Sequence, residues 1–237
     1  MVEWAVKRFW SSVEVVSAAE GFAVTLDTRP VKTPAKKPLV VSTKGLADHI
    51  AAEWAAQSEE IDPQTMPFTR TTNAAIDKVA PQFLEVVGHL SAYCETDLLC
   101  YRAEGPAELV SRQNSAWDPL LSWSSEVLDA PLICAQGVMH VEQSPKTLRT
   151  YKDKLKNLSE FQLAAMHDLI GLSGSCVAAF ALVDGVKSPN EIWRISRIDE
   201  DWQRDQWGAD EEADALSATK KGEFLHAYKY FCAATRK

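Results

Sequence analysis

The sequence predicts an α+β fold, in which a small N-terminal antiparallel sheet with a helix is followed by an all-helical C-terminal domain. Three observations support this prediction. Apolar residues alternate around Val24, the apolar period becomes helical after Ser42, and helical spacing then continues to the end of the chain. The chain has 237 residues, of which 46% are hydrophobic and 24% are charged, as in a folded globular protein. We place the two domains at residues 1–75 and 76–237.

The predicted sheet consists of short strands. In order, the segments are a strand at Phe22–Leu26, a turn at Asp27–Pro30, and strands at Val31–Thr33 and Leu39–Val41. Phe22, Val24 and Leu26 alternate with smaller residues, so their side chains share one face of the first strand. Pro34 and Pro38 separate the later strands, and they keep these strands short because proline cannot donate a hydrogen bond within a sheet.

A helix is predicted directly after the sheet. Ser42 or Thr43 can cap its start, and it ends near Gln57. Its apolar stripe consists of Leu46, Ala47, Ile50, Ala51 and Trp54. Two prolines in the segment Ile61–Arg70 then predict an ordered loop, which precedes the domain boundary.

The second domain is predicted to be helical throughout. The predicted helices cover Phe83–Tyr101, Leu109–Leu128, Pro145–Leu158, Phe161–Val183, Ser188–Arg204 and Glu211–Cys232. Pro119 is expected to interrupt the second of these helices. The clearest start is at Ser188, which can cap a helix while Pro189 fits its first position and Glu191 lies three residues after the cap.

Charge and composition exclude several classes of partner. The net charge is −8 and the lysines form pairs rather than patches, which predicts no binding to nucleic acid. We expect no membrane insertion, because no apolar stretch reaches the ~20 residues that span a bilayer. Residues 1–8 lack the features of a secretory signal and of an organelle transit peptide, so the chain is expected to act where it is made.

The five cysteines show no CxxC spacing and lie mostly among apolar residues. They are Cys94, Cys100, Cys134, Cys176 and Cys232. This pattern is typical of small buried hydrophobic residues in a reducing compartment.

Familiar catalytic motifs are incomplete in this sequence. The segment Gly171–Ser175 resembles a GxSxG nucleophile elbow, but its fifth residue is serine and it lies in a helical run, which favours close helix packing by small residues. The histidines are scattered and neither phosphate-binding glycine motif occurs, so we predict no catalytic residue, metal, nucleotide or other cofactor. An enzyme using a carboxylate among Asp97, Asp199 and Glu200 stays open as an alternative, because aromatic neighbours could raise a pKa there.

Tryptophan content and acidic clustering favour a protein-binding surface instead. The chain has eight tryptophans, and two of them lie in or next to acidic sequence within Asp199–Asp214. Tryptophan is enriched at interface hot spots, although burial in the core is the commoner role for any single one.

Several blocks of sequence resemble the ATP12 family of F1-ATPase assembly chaperones, in matching order and spacing. The blocks are residues 22–34 (FAVTLDTRPVKTP), 46–57 (LADHIAAEWAAQ), 62–70 (DPQTMPFTR), 96–102 (TDLLCYR), 117–121 (WDPLL) and 196–208, which begins SRIDEDWQ and ends WG. The resemblance spans about residues 9 to 212.

The resemblance implies a chaperone, not an enzyme. Its transient partner would be the free α subunit of F1, which it shields until a β subunit replaces it. It also implies an N-terminal α+β domain followed by a helical domain. We hypothesise that the client-binding residues are Asp199, Glu200, Asp201, Gln203, Trp207, Arg70 and Trp54. A monomer in the bacterial cytoplasm is expected, or in the mitochondrial matrix for a mature eukaryotic form. A stable scaffold subunit of a complex is the remaining alternative.

Overall fold

The computed structural model describes residues 7–235, so residues 1–6 of the N-terminal stretch considered above lie outside it. Within that range the fold divides into two compact units. The first unit takes in the described residues up to Phe83, Ser159–Ala165 and the described residues from Lys229 onward. The second unit takes in Leu84–Leu158 and Met166–Tyr228. The division predicted at residue 75 stays a prediction, and the first unit is discontinuous in sequence.

The first unit contains an antiparallel sheet whose central strand is β2. Its strands are β1 (Val13–Ala18), β2 (Gly21–Leu26), β3 (Arg29–Pro30) and β4 (Val40–Val41). β1 lies on one side of β2, with Val15 opposite Val24, and β3 and β4 both pair with the other side. The predicted strand at Phe22–Leu26 is therefore confirmed, while β1 was not predicted.

The remaining strand predictions are corrected in detail. The turn is confined to Asp27–Thr28, where Asp27 adopts φ 55, and Arg29–Pro30 already pairs with β2. The predicted strand at Val31–Thr33 reduces to a single bridge between Lys32 and Pro38. These segments are too short to be recognised from alternation, which needs at least four residues.

Helix α1 (Lys44–Ala56) confirms the helix predicted after the sheet. Thr43 caps it by accepting a hydrogen bond from the Leu46 backbone N–H. Leu46, Ala47 and Ile50 are buried, in the unit that also buries Val24, Leu26 and Val41 of the sheet.

The predicted loop at Ile61–Arg70 is wrong in its second half. A short 3₁₀ turn covers Pro63–Thr65, and helix α2 (Pro67–Ala74) begins inside the predicted loop. Pro67 is tolerated because it occupies the first helical position, where its missing N–H has no helical partner. The Glu53 carboxylate accepts the backbone N–H groups of Phe68 and Thr69, at 2.6 and 2.8 Å, and thereby caps α2 from a distant position in the sequence.

The second half of the chain is mainly helical, which confirms the predicted fold class. After a π turn at Ala75–Val79 and a 3₁₀ turn at Ala80–Gln82, the helices are α3 (Phe83–Ala92), α4 (Ala107–Leu128), α5 (Pro145–Lys156), α6 (Glu160–Ser173), α7 (Cys176–Val183), α8 (Pro189–Ile195), α9 (Ile198–Trp207) and α10 (Glu211–Ala234). Strand β5 (Tyr101–Arg102) follows a 3₁₀ turn and pairs in parallel with β6 (Ala135–Gln136).

Three helix predictions are wrong in their continuity. The helix predicted to reach Tyr101 ends at Ala92. The other two predicted helices each divide into a pair, α6 with α7 and α8 with α9. The first division occurs at Gly174, whose φ is +70, and Ser175 then caps α7. The second occurs at Ser196 and Arg197, which end α8 and begin α9.

Pro119 does not interrupt α4, contrary to the prediction. It lies inside the helix on the exposed side, while Trp117 and Leu120 on either side of it are buried. We attribute the continuity to packing of this buried stripe, which offsets the hydrogen bond that proline cannot make.

The elbow-like segment Gly171–Ser175 forms the turn between α6 and α7 and follows a helix rather than a strand. The Ser173 hydroxyl is buried and donates to the Leu169 carbonyl oxygen at 2.6 Å. Its geometry is therefore that of a helix end and not that of a nucleophile elbow, which requires a strand before the serine.

Candidate functional site

A cleft of about 450 Å³ lies beside α9 in the second unit. Its lining combines tryptophans with side chains of both charges, including Trp193, Arg197, Glu200, Asp201, Gln203 and Trp207. The start of α10 completes it with residues such as Asp214 and Lys220. Such a cleft can contact apolar and charged groups of a protein segment at the same time.

Local sequence explains why α9 and α10 meet at this cleft. The first turn of α9 carries acidic residues, which are favoured near the positive end of the helix dipole. The helix ends at Gly208, whose φ of 92 suits glycine and whose N–H donates to the Arg204 carbonyl oxygen. Asp210 then accepts the backbone N–H groups of Glu212 and Ala213 and fixes the start of α10.

The structure separates the three consecutive acids that the sequence grouped together. Glu200 and Asp201 are exposed and line the cleft. Asp199 is half-buried and accepts a hydrogen bond from Gln113 Nε2 at 2.7 Å, so it holds α9 to α4. Gln113 is itself buried, and its side-chain oxygen accepts the Ala103 N–H at 2.8 Å.

Two arginines at the cleft were absent from the predicted site. Arg197 pairs with Glu200 at 2.9 Å, donates to the Leu172 carbonyl oxygen at 3.1 Å and lies over the Trp193 ring. Arg204 pairs with Asp214 at 3.2 Å. Their sequence signal is the spacing of three and four residues from Arg197 to Glu200 to Arg204, which places all three side chains on one side of the chain as it enters α9.

The two tryptophans of α9 have opposite environments. Trp202 is only 7% exposed, and the Arg112 guanidinium of α4 lies 4.8 Å from its ring centre. Arg112 also pairs with Asp205 at 2.8 Å. Trp207 is 81% exposed, at the end of the helix. Trp202 is therefore a packing residue and Trp207 is the aromatic group available to a partner.

The other two predicted contact residues, Trp54 and Arg70, belong to the first unit. Trp54 is half-buried and packs edge-on against Trp10, with ring centres 5.3 Å apart. Arg70 is exposed on α2. Their role in client binding stays a prediction, and the packing of Trp54 gives it a structural role independent of any partner.

The carboxylates of the alternative catalytic site occupy different settings. Asp97 is completely buried and accepts the backbone N–H groups of Leu99 and Val177, each at 3.0 Å. Burial raises its pKa to about 6, although these hydrogen bonds act in the opposite direction. Asp199 binds Gln113, and of the three carboxylates the cleft includes Glu200. The carboxylate enzyme hypothesis requires a pocket lined by two of these three carboxylates. This cleft is lined by only one of them.

The cysteines are partly as expected. Cys94, Cys100 and Cys176 are buried, whereas Cys134 and Cys232 are exposed, which corrects the prediction that the set is buried. Within residues 7–235, no cluster of three or more His, Cys, Asp or Glu side chains is arranged to hold a metal ion. Over the same residues, no helix combines the length and apolar character needed to cross a membrane.

Comparison with known proteins extends this description. The family model described as ATP12 chaperone protein matches residues 7–125. The crystal structure of Atp12 from Paracoccus denitrificans is similar to the chain with a TM-score of 0.95 and 42% sequence identity, covering 98% of this chain and 100% of that one. A crystal structure of a protein from Agrobacterium tumefaciens has a TM-score of 0.91 and 39% identity, covering 97% of this chain and 86% of that one.

Proposed function

Because the chain belongs to the ATP12 chaperone family, we propose that it binds the free α subunit of F1-ATP synthase and shields it until a β subunit takes its place. Both similar proteins come from bacteria, and action in the bacterial cytoplasm is part of the proposal. The finished enzyme would not contain the chaperone.

The observation that carries the proposed contact surface is the exposed Trp207 beside the acids of the cleft. Glu200, Gln203 and Trp207 are spaced by three and four residues, so they share one face of α9. Tryptophan is enriched among the residues that dominate binding energy, so this exposed ring beside the cleft is suited to anchor a partner.

The surrounding charges suit a contact that must later be released. An unassembled subunit exposes an apolar interface that would otherwise aggregate. An aromatic anchor can cover part of that interface, while charges at the rim set the association rate and select the partner. Glu200 and Asp201 would then face basic groups of the client.

A pull-down tests the function. The tagged chain is recovered from bacterial cells that make F1 normally and from cells depleted of the β subunit. We expect α subunit to accumulate on the chain after depletion and the chain to be absent from purified F1. Finding the chain in finished F1 would favour a scaffold subunit, and finding no α subunit on it in either cell would refute the proposed client.

A second experiment tests the surface with purified α subunit. We expect Trp207→Ala to weaken binding about tenfold or more, which corresponds to about 1.4 kcal/mol. Trp202→Ala is the matched comparison. The loss of that buried ring should reduce the free energy of unfolding, in addition to any effect on binding. Normal binding by a folded Trp207→Ala variant would remove this tryptophan from the interface.

Charge reversal tests the acids of the same surface. The double variant Glu200→Lys with Asp201→Lys should also bind at least about tenfold more weakly, chiefly through slower association. Glu126→Lys, on the exposed side of α4, reverses a single charge away from the cleft and should bind normally. Glu126→Lys changes the net charge half as much as the double variant does, so a loss of binding free energy about half as large would indicate that only net charge matters.

A further inference from the structure

Two cysteines meet where strands β5 and β6 pair. The strands run parallel, with Tyr101 opposite Ala135 and Arg102 opposite Gln136. Cys100 and Cys134 directly precede β5 and β6, so the same register places them next to each other. Neighbouring strands lie about 4.8 Å apart, which is within the Cα separation that a disulfide can span. The Cys100 and Cys134 side chains are in hydrogen-bonding contact.

The two thiols have unequal access to solvent. Cys100 is fully buried, whereas Cys134 is exposed. A reagent in solution therefore meets Cys134 first, and Cys100 is protected behind it. This arrangement of an accessible thiol with a buried neighbour is typical of reactive cysteine pairs.

A fixed cation lies beside Cys134. The Arg102 guanidinium is 4.0 Å from Cys134 Sγ and is only 8% exposed. Its remaining donors bind the Leu99 carbonyl oxygen at 3.0 Å, Asn114 Oδ1 at 2.8 Å and Asp118 Oδ1 at 2.7 Å. Because these contacts hold the guanidinium in place, its charge stays next to the sulfur.

The hydrogen bond from Cys100 and the nearby Arg102 lower the pKa of Cys134 to about 6, although partial burial and, less strongly, Asp118 act in the opposite direction. The hydrogen bond with Cys134 and burial raise the pKa of Cys100. At neutral pH, Cys134 is therefore the thiolate and Cys100 keeps its proton. The thiolate is the nucleophilic form of cysteine.

We propose that Cys134 and Cys100 form a peroxide-reactive dithiol site, in which Cys134 reacts first and Cys100 closes a disulfide. The Cys134 thiolate attacks one oxygen of hydrogen peroxide, so that an S–O bond forms as the O–O bond breaks. The departing hydroxide takes a proton from solvent and becomes water. Cys134 is then a sulfenic acid.

The second step uses the buried thiol. The Cys100 sulfur attacks the sulfenic sulfur, the S–S bond forms and the S–O bond breaks. The departing oxygen takes the Cys100 proton and leaves as a second water. In sum, two sulfurs lose two electrons, and one peroxide becomes two waters.

Peptide mapping of the full-length chain tests the proposal. The reduced protein is treated at pH 7 with a small excess of hydrogen peroxide, its remaining thiols are alkylated, and its peptides are identified by mass spectrometry. We expect a peptide pair joined through Cys100 and Cys134 and an intact mass lower by about 2 Da, the two hydrogens lost. This test uses the unmodified chain, so its result does not depend on whether a variant folds. Oxidation that reaches other cysteines while Cys100 and Cys134 stay unlinked would overturn the proposal.

Two variants test the order of the steps. In Cys100→Ser, we expect dimedone to capture Cys134 as a sulfenic acid in several-fold greater yield than in the unmodified chain, because no thiol resolves it. In Cys134→Ser, Cys100 should survive the same treatment as a free thiol. The exposed Cys232 serves as an internal comparison, and capture at Cys232 equal to that at Cys134 would contradict the assigned role of Cys134.

Discussion

At the scale of single residues, Asp97 shows how a charged group can serve the fold rather than a site. Its carboxylate is completely buried and accepts N–H groups at the start of α7 and after its own position. These are the orphan donors at helix starts that need an acceptor. Ser175 caps α7 beside it, so two side chains share the task.

The raised pKa of Asp97 predicts a specific dependence of stability on pH. Between pH 3.8, which is the ordinary pKa of an aspartate, and about pH 6, the folded protein binds a proton that the unfolded chain has released. The contribution of Asp97 to the free energy of unfolding therefore falls as pH rises through this window. Asp97→Asn removes the titration, so the advantage of the unmodified chain over this variant should shrink by about 2 kcal/mol between pH 4 and pH 7.

Urea unfolding of both proteins at several pH values measures this difference. Asp27→Asn is the comparison, because hydrogen bonds from the Ser12 and Ser11 backbone N–H groups lower the pKa of Asp27. The contribution of Asp27 to the free energy of unfolding is present above pH 3.8 and is lost as pH falls below it. The stability difference between the unmodified chain and Asp27→Asn should therefore change with pH in the opposite direction. A difference between the unmodified chain and Asp97→Asn that stays constant with pH would show that Asp97 does not titrate in this window.

At the scale of elements, α4 contains a proline in its interior, where the helix geometry does not require one. Pro119 lies on the exposed side of the helix, and Trp117 is held by donating its ring N–H to the Ile195 carbonyl oxygen at 2.9 Å. We expect Pro119→Ala to raise the free energy of unfolding by about 1–3 kcal/mol, because alanine restores the missing hydrogen bond without disturbing the buried stripe.

Thermal and urea unfolding test this expectation, with Pro189→Ala as the control. Pro189 occupies the first position of α8, where proline is compatible with the helix, so its replacement should leave stability unchanged or slightly lower. A loss of stability in Pro119→Ala would mean that the proline shapes α4 for its contacts.

Element boundaries divide into those with a local signal and those without one. The start of α8 was predictable because Ser188 and Glu191 form a capping box within four residues. The division between α8 and α9 was not, because Ile192, Ile195, Ile198 and Trp202 continue one apolar period across it. Periodicity predicts which side of a helix is apolar, and here the apolar period gives no sign of a break.

The candidate site followed the same rule. The sequence grouped Asp199, Glu200 and Asp201, but the partner that separates Asp199 from the other two is Gln113, 86 residues away. Likewise, Glu53 caps α2 from α1, and no local pattern announces it. The roles of Asp199 and Glu53 therefore depend on partners distant in sequence, and local spacing could not predict them.

At the scale of the whole molecule, the first unit depends on the end of the chain. Tyr230, Phe231 and Ala234 belong to this unit and are buried. The Tyr230 hydroxyl shares a hydrogen bond of 2.9 Å with Thr72. Thr43, which caps α1, donates its hydroxyl to the Ala233 carbonyl oxygen. The sheet and α1 thus share a core with residues that follow them by almost 200 positions in the chain.

A chain that stops after Tyr228 should therefore lose the first unit. Removing two buried aromatic side chains costs about 3–5 kcal/mol each, which approaches the 5–15 kcal/mol that stabilise a typical domain. Hydrogen exchange should show that amides of β2 and α1 lose protection in the truncated chain. Cys232→Ala in the full chain changes an exposed residue of the same segment and should leave that protection intact. If β2 and α1 stayed protected after truncation, residues 1–75 would fold without the C-terminal segment, as the domain boundary predicted from the sequence requires.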